Sequence, residues 1–104
     1  MASHRILYAG DDIHLPARLR DALQASDCFV VRSPAPSAST LVRSDIKYSL
    51  LLFDDDPAGA ELEAYARTLL HRERTPVIMV KKSEGFGGLV YNVRRKLAGL
   101  RLHT

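Results

Sequence analysis

The run Tyr48-Ser49-Leu50-Leu51-Leu52-Phe53 is apolar on both alternating faces apart from Ser49, and it stops abruptly at Asp54-Asp55-Asp56. A strand with two apolar faces must be covered on both sides, as in the middle of a parallel sheet. Three further β-type runs accompany it: Arg5 to Ala9, Cys28 to Val31 and Val77 to Val80. Stretches with helical spacing lie between them. Leu15, Leu19, Ala22 and Leu23 recur after the first run, with Pro16 tolerated in the first turn. Ser33-Pro34-Ala35-Pro36-Ser37 reads as a loop, from which Ser37 or Ser39 would cap a short helix carrying Leu41, Val42 and Ile46. Pro57-Ala58-Gly59 reads as a turn before the clearest helix, Ala60 to Arg74, whose stripe is Leu62, Tyr65, Ala66, Leu69 and Leu70. Lys81 to Gly88 is expected to be a polar, glycine-bearing loop. Leu89 to Leu97 reads as a last helix that Gly99 closes.

Strands joined by helices of this length imply right-handed crossovers and an α/β fold with a parallel sheet covered on both faces. With 104 residues, 46% hydrophobic and 26% charged, the chain suits a single domain, 1–104. Its lone cysteine, Cys28, excludes a disulfide framework and any metal site built on cysteine clusters, and reads as a buried structural thiol. No apolar run approaches a membrane span, and Met-Ala-Ser-His-Arg carries no secretory cleavage pattern. A cytoplasmic location is the expectation that fits a reduced thiol.

The net charge of +3 is mildly basic. Arg94-Arg95-Lys96 with Arg101 reads as the solvated face of the last helix, and no aromatic platform accompanies it. Nucleic acid is therefore not the expected partner. His4, His14, His71 and His103 lack ligand spacing, and Gly85-Phe86-Gly87-Gly88 lacks the Gly-Lys-Ser/Thr ending of a phosphate loop.

In parallel sheets functional groups gather at the carboxyl ends of the strands. Those ends carry Gly10-Asp11-Asp12, Asp54-Asp55-Asp56 and Lys81-Lys82. Carboxylates brought together there repel unless a cation sits between them, and a hard cation such as Mg²⁺ suits such a group. With a lysine opposite, the set would support phosphoryl transfer to a carboxylate. The plainer reading is that the aspartates cap helices and favour their N-termini. Spacing alone leaves both open.

At these residues the sequence resembles the receiver domains of two-component response regulators. Arg5-Ile6-Leu7-Tyr8-Ala9-Gly10-Asp11-Asp12 is similar to their first strand and its acidic end. Lys47-Tyr48-Ser49-Leu50-Leu51-Leu52-Phe53-Asp54 is similar to the strand ending in the phosphoacceptor aspartate, and Thr75-Pro76-Val77-Ile78-Met79-Val80 to the fourth strand. The resemblance implies a flavodoxin-like three-layer sandwich with strand order 2-1-3-4, Asp54 as phosphoacceptor, and Mg²⁺ on Asp11, Asp12 and Asp54. It also implies a histidine kinase or phosphotransfer protein as phosphoryl source. Aligning on Pro57 instead would put Phe53 at the acceptor place, but burial fixes strand register and favours Asp54.

The departures are specific. Gly10 stands where the first of two acidic residues belongs, and Lys81 where receivers carry threonine or serine. Lys82 matches the lysine of the family motif, with Ser83 in place of the usual proline. A helix and the fifth strand have no counterpart. The chain thus reads as a stand-alone receiver-like signalling domain that either takes phosphate on Asp54 or works without it. The alternative is a degenerate pseudo-receiver serving only as an interaction or dimerisation module, with a small nucleic-acid-binding protein behind both. Neither leading reading makes it an enzyme. Without a fifth strand, Val77 to Val80 forms a sheet edge. A homodimer is expected there or through Leu89, Val93, Leu97 and Leu100 of the last helix.

Overall fold

The computed structural model describes residues 4–23, 28–43, 47–69 and 75–102. Along the chain run β1 (His4–Ala9), α1 (Leu15–Leu23), β2 (Cys28–Ser33), α2 (Ala35–Arg43), β3 (Leu50–Asp54), α3 (Pro57–Arg67), β4 (Val77–Val80) and α4 (Gly85–Leu102). The strands form one sheet in the order β2-β1-β3-β4. All three pairings are parallel: Ile6 lies opposite Val30 and Leu50, and Phe53 opposite Met79. This is the α/β sandwich expected, with helices on both faces.

Side-chain alternation divides the core. On one face, Ile6 and Tyr8 of β1 and Leu50 and Leu52 of β3 pack with Leu15 and Leu19 of α1 and Leu89, Val93 and Leu97 of α4. On the other, Leu7, Ala9, Leu51 and Phe53 pack with Ala38 and Val42 of α2 and Leu62 and Ala66 of α3. Leu50, Leu51, Leu52 and Phe53 are all fully buried, and each such side chain contributes about 2 kcal/mol. Because β2 lies on one side of β1 and β3 and β4 on the other, the order in which strands are added across the sheet reverses between β1 and β3. The carboxyl ends of these two strands therefore frame a crevice.

Several boundaries differ from those read from sequence. Ser33 to Ser37 is not a loop: α2 begins at Ala35, and the Ala38 N–H donates to the Pro34 carbonyl at 3.0 Å. Proline's fixed φ suits a helix's first turn, so Pro34 and Pro36 start this helix and Ser37 and Ser39 lie inside it. Ile46 lies outside the described residues. β3 begins at Leu50, two residues later than expected, and includes Asp54 as its last member; Tyr48 precedes it yet is buried.

Pro57-Ala58-Gly59 is the first turn of α3, with Asp56 as its cap. That helix ends at Arg67, where the Thr68 N–H and hydroxyl both donate to the Tyr65 carbonyl, so the last turn tightens and stops. Its expected extension over 70–74 lies outside the described residues. The loop expected over Lys81 to Gly88 is instead a 3₁₀ turn, Lys82–Glu84, followed directly by α4. Gly87, Gly88 and Gly99 each cost the helix about 1 kcal/mol. Burial of Leu89, Val93 and Leu97 outweighs them, and Gly99 does not end the helix. No helix among the described residues is long and apolar enough to cross a membrane.

Helix α4 is also tied to α1 by its cations. The Arg94 guanidinium donates to the Ala22 carbonyl at the end of α1 at 2.6 Å, where a cation complements the helix dipole. Arg18 of α1 lies over the Phe86 ring at 4.3 Å. Arg94, expected on a free basic face, thus holds two helices together. Leu89, Val93 and Leu97, expected to offer a dimer surface, point into the chain's own core rather than outward, and the side chain of Leu100 lies outside the described residues.

Candidate functional site

Asp54 ends β3 beside β1, and the segments after β1, β3 and β4 surround it. A cleft of about 630 Å³ is lined by Asp11, Asp12, Asp54, Asp55, Asp56, Lys81 and Lys82, together with Tyr8 and Ser83. The structure thus gathers every site residue singled out from the sequence around one opening. Their individual roles differ from what convergence on a metal would require.

One carboxylate is a helix cap and a second closes the turn before a helix. Asp56 Oδ1 accepts from the Gly59 N–H at 2.7 Å at the start of α3. Asp12 Oδ1 accepts from the His14 N–H at 2.9 Å, and its carbonyl from the Leu15 N–H at 3.3 Å, at the start of α1. The plainer reading of the aspartates as helix caps holds for Asp56, whereas Asp12 closes an Asx turn just ahead of α1. Asp11 is exposed and approaches Asp54 through its backbone: the Asp11 N–H donates to Asp54 Oδ2 at 3.3 Å.

The remaining contact comes from a residue that sequence reasoning missed. The Tyr8 hydroxyl donates to Asp54 Oδ1 at 2.7 Å and accepts from the Asp12 N–H at 3.3 Å. Tyr8 is only 1% exposed. Burial, then the hydrogen bond to Asp54, push its phenol well above the ordinary tyrosine range, so it stays a neutral donor. Both oxygens of Asp54 therefore already accept a hydrogen bond from the protein.

Gly10 makes this arrangement possible. A β-carbon there would collide with Asp54 Oδ2 and with the Tyr8 hydroxyl. Its own backbone is pinned on both sides, the N–H donating to the Ser33 carbonyl at 3.2 Å and the carbonyl accepting from Arg32 Nε at 3.0 Å. Gly10 and Tyr8 act as one unit in physical terms: a phenol fills the space that a side chain at Gly10 would need. A tyrosine two residues before a glycine at a strand's end was the available signal, since alternation puts such a ring under the strand terminus.

As arranged, these groups do not fit the Mg²⁺ that the resemblance implies. Asp54 Oδ1 holds a phenol, Asp12 Oδ1 is engaged by the His14 N–H, and Gly10 offers no ligand. Among the described residues no three His, Cys, Asp or Glu side chains come together as a ligand set. Lys81 and Lys82 are exposed on the rim and, among the described residues, form no ion pair with a carboxylate.

Compared with known proteins, the chain matches no family model, no curated protein and no solved structure.

Proposed function

We propose that this chain is a receiver-like signalling module that works without phosphorylation of Asp54, acting through binding to another protein. One observation carries the reading: the Tyr8 hydroxyl on Asp54 Oδ1 at 2.7 Å, in space that Gly10 leaves free. To react as a phosphoacceptor, the carboxylate would present one oxygen to phosphorus and the other to a cation. Here a buried phenol competes for one oxygen and the Asp11 N–H for the other. Asp54 serves instead as the acceptor that ties β1, the start of α1 and β3 together. Output then depends on surfaces that do not change with phosphate.

A second reading is phosphoryl acceptance on Asp54 from a histidine kinase or phosphotransfer protein. It is favoured by Lys81 and Lys82 on the same cleft, where either ammonium could pair with a phosphoryl oxygen. The two separate cleanly. Treated with phosphoramidate and Mg²⁺ and read by intact mass, the protein is expected to keep its mass. Gain of one phosphoryl group that is lost in Asp54→Asn would overturn the proposal in favour of the second reading.

A further inference from the structure

We infer that the open edge of β4, together with the adjoining face of α4, is a docking groove for an extended acidic segment of a partner protein. The inference rests on the reading of the chain as an interaction module and names its surface.

Hydrogen-bond parity defines the edge. The Leu51 N–H donates to the Pro76 carbonyl at 3.0 Å and the Asp55 N–H to the Val80 carbonyl at 3.1 Å. In a parallel ladder alternate residues bond to the same neighbour, so Pro76, Ile78 and Val80 face β3. The N–H and C=O groups of Val77 and Met79 therefore face away from the sheet. β4 is the last strand in the sheet, and no described strand pairs with that side. Unpaired groups in this arrangement are a template for an added strand.

The edge also borders a groove. A depression of about 630 Å³ runs between β4 and α4, lined by Val77, Ile78 and Met79 of the strand and by Lys81, Arg95 and Lys96. The side chains of Val77 and Met79 lie on the opposite face of the sheet from α4, so these two border it at the strand's edge. Glu84 lines it as well, where its carboxylate accepts from Asn92 Nδ2 at 3.4 Å. On the helix side, Gly99 leaves the space above it open, since nothing lies within 4 Å of where its β-carbon would be. A peptide backbone can approach there without moving a side chain.

Charge selects the occupant. Among the described residues, three cations against one carboxylate make the groove positive, so an acidic strand gains both main-chain hydrogen bonds and charge complementarity. A second copy of this chain placed on the edge by a two-fold axis would put the Arg95 and Lys96 of both copies on one face of the joined sheet. The same cations that attract an acidic strand thus oppose the edge-to-edge homodimer expected from sequence.

Fluorescence anisotropy with a labelled Glu-Val-Glu-Val-Glu-Val peptide tests the inference on the full chain. Saturable binding is expected, with a Lys-Val repeat failing to bind. Arg95→Glu with Lys96→Glu is expected to weaken binding about tenfold or more. These residues are exposed on α4, so the fold survives their change. Methylating alternate amides of the peptide keeps its charge and is expected to abolish binding in one of the two registers. Binding indifferent to methylation in both registers would mean mere charge attraction and overturn the docked strand. So would no binding at all, or a dimer by light scattering that Val77→Lys dissociates. Asp54→Asn is expected to bind the peptide like the wild type, so a phosphoryl-accepting chain that still binds it would sink the proposed function and leave the groove standing.

Discussion

Replacing Gly10 by alanine is expected to destabilise the protein by about 3 kcal/mol, lowering the melting temperature by about 15 °C. The added β-carbon meets Asp54 Oδ2 and the Tyr8 hydroxyl together, and neither can retreat cheaply. Tyr8 is enclosed by the α1 and α4 side of the core, and Asp54, itself half-buried, follows four fully buried residues of β3. The backbone of Gly10 cannot move aside either, because Ser33 and Arg32 hold it from both ends. Overpacking costs about 1–3 kcal/mol, and expelling the phenol forfeits a charge-assisted hydrogen bond of about 1.5–3 kcal/mol. The two overlap, so their sum is an upper bound. For a domain of this size, with total stability of about 5–15 kcal/mol, the loss is a large share. Thermal melts followed by circular dichroism measure it.

Gly59→Ala should also destabilise, against the direction that helix propensity alone would give. Alanine in place of glycine favours a helix by about 1 kcal/mol. Here the new β-carbon collides with the backbone carbonyl of Asp54, a group that cannot rotate away as a side chain would. α3 would have to lift from β3, loosening the Asp56 cap and the seat of Leu62 and Ala66. Sterics of about 3 kcal/mol exceed the propensity gain, leaving a net loss of about 2 kcal/mol, readable by urea unfolding. Gly10 and Gly59 thus pin Asp54 from opposite directions, one at its carboxylate and one at its carbonyl.

The layers were legible because they follow from burial, whereas the strand order came only with the resemblance to receiver domains. Four successive apolar residues, Leu50 to Phe53, need cover on two faces, and the helical stripes between strands supply it. Helix boundaries were less legible where local preference and tertiary packing disagree. Gly85-Phe86-Gly87-Gly88 disfavours a helix locally, yet Phe86 and Leu89 pack onto the sheet and draw the helix back to Gly85. The prolines after Ser33 look like loop residues, but the same fixed φ serves a helix start.

At the site, alternation and turn chemistry placed Asp11, Asp12, Asp54, Lys81 and Lys82 around one cleft. Tyr8 escaped because a tyrosine in a strand reads as an ordinary core residue. Its role exists only through a contact with a carboxylate 46 positions away. The tyrosine two residues before Gly10 marks a ring under the strand end, but its distant partner Asp54 cannot be read from that local pattern. Gly10 was read only as a lost ligand, whereas in the fold it is the space that lets the phenol reach Asp54.

The most direct measurement of Asp54 as a structural acceptor is a double-mutant cycle on the Tyr8–Asp54 pair. Urea unfolding of wild type, Tyr8→Phe, Asp54→Ala and the double variant gives the coupling without reference to any ligand. If the phenol holds the carboxylate in solution, each single change destabilises. The double change then costs less than the two singles together, by about 1 kcal/mol or more. Additive losses, equal within about 0.5 kcal/mol, would mean that the pair does not interact and that Asp54 is free for other chemistry.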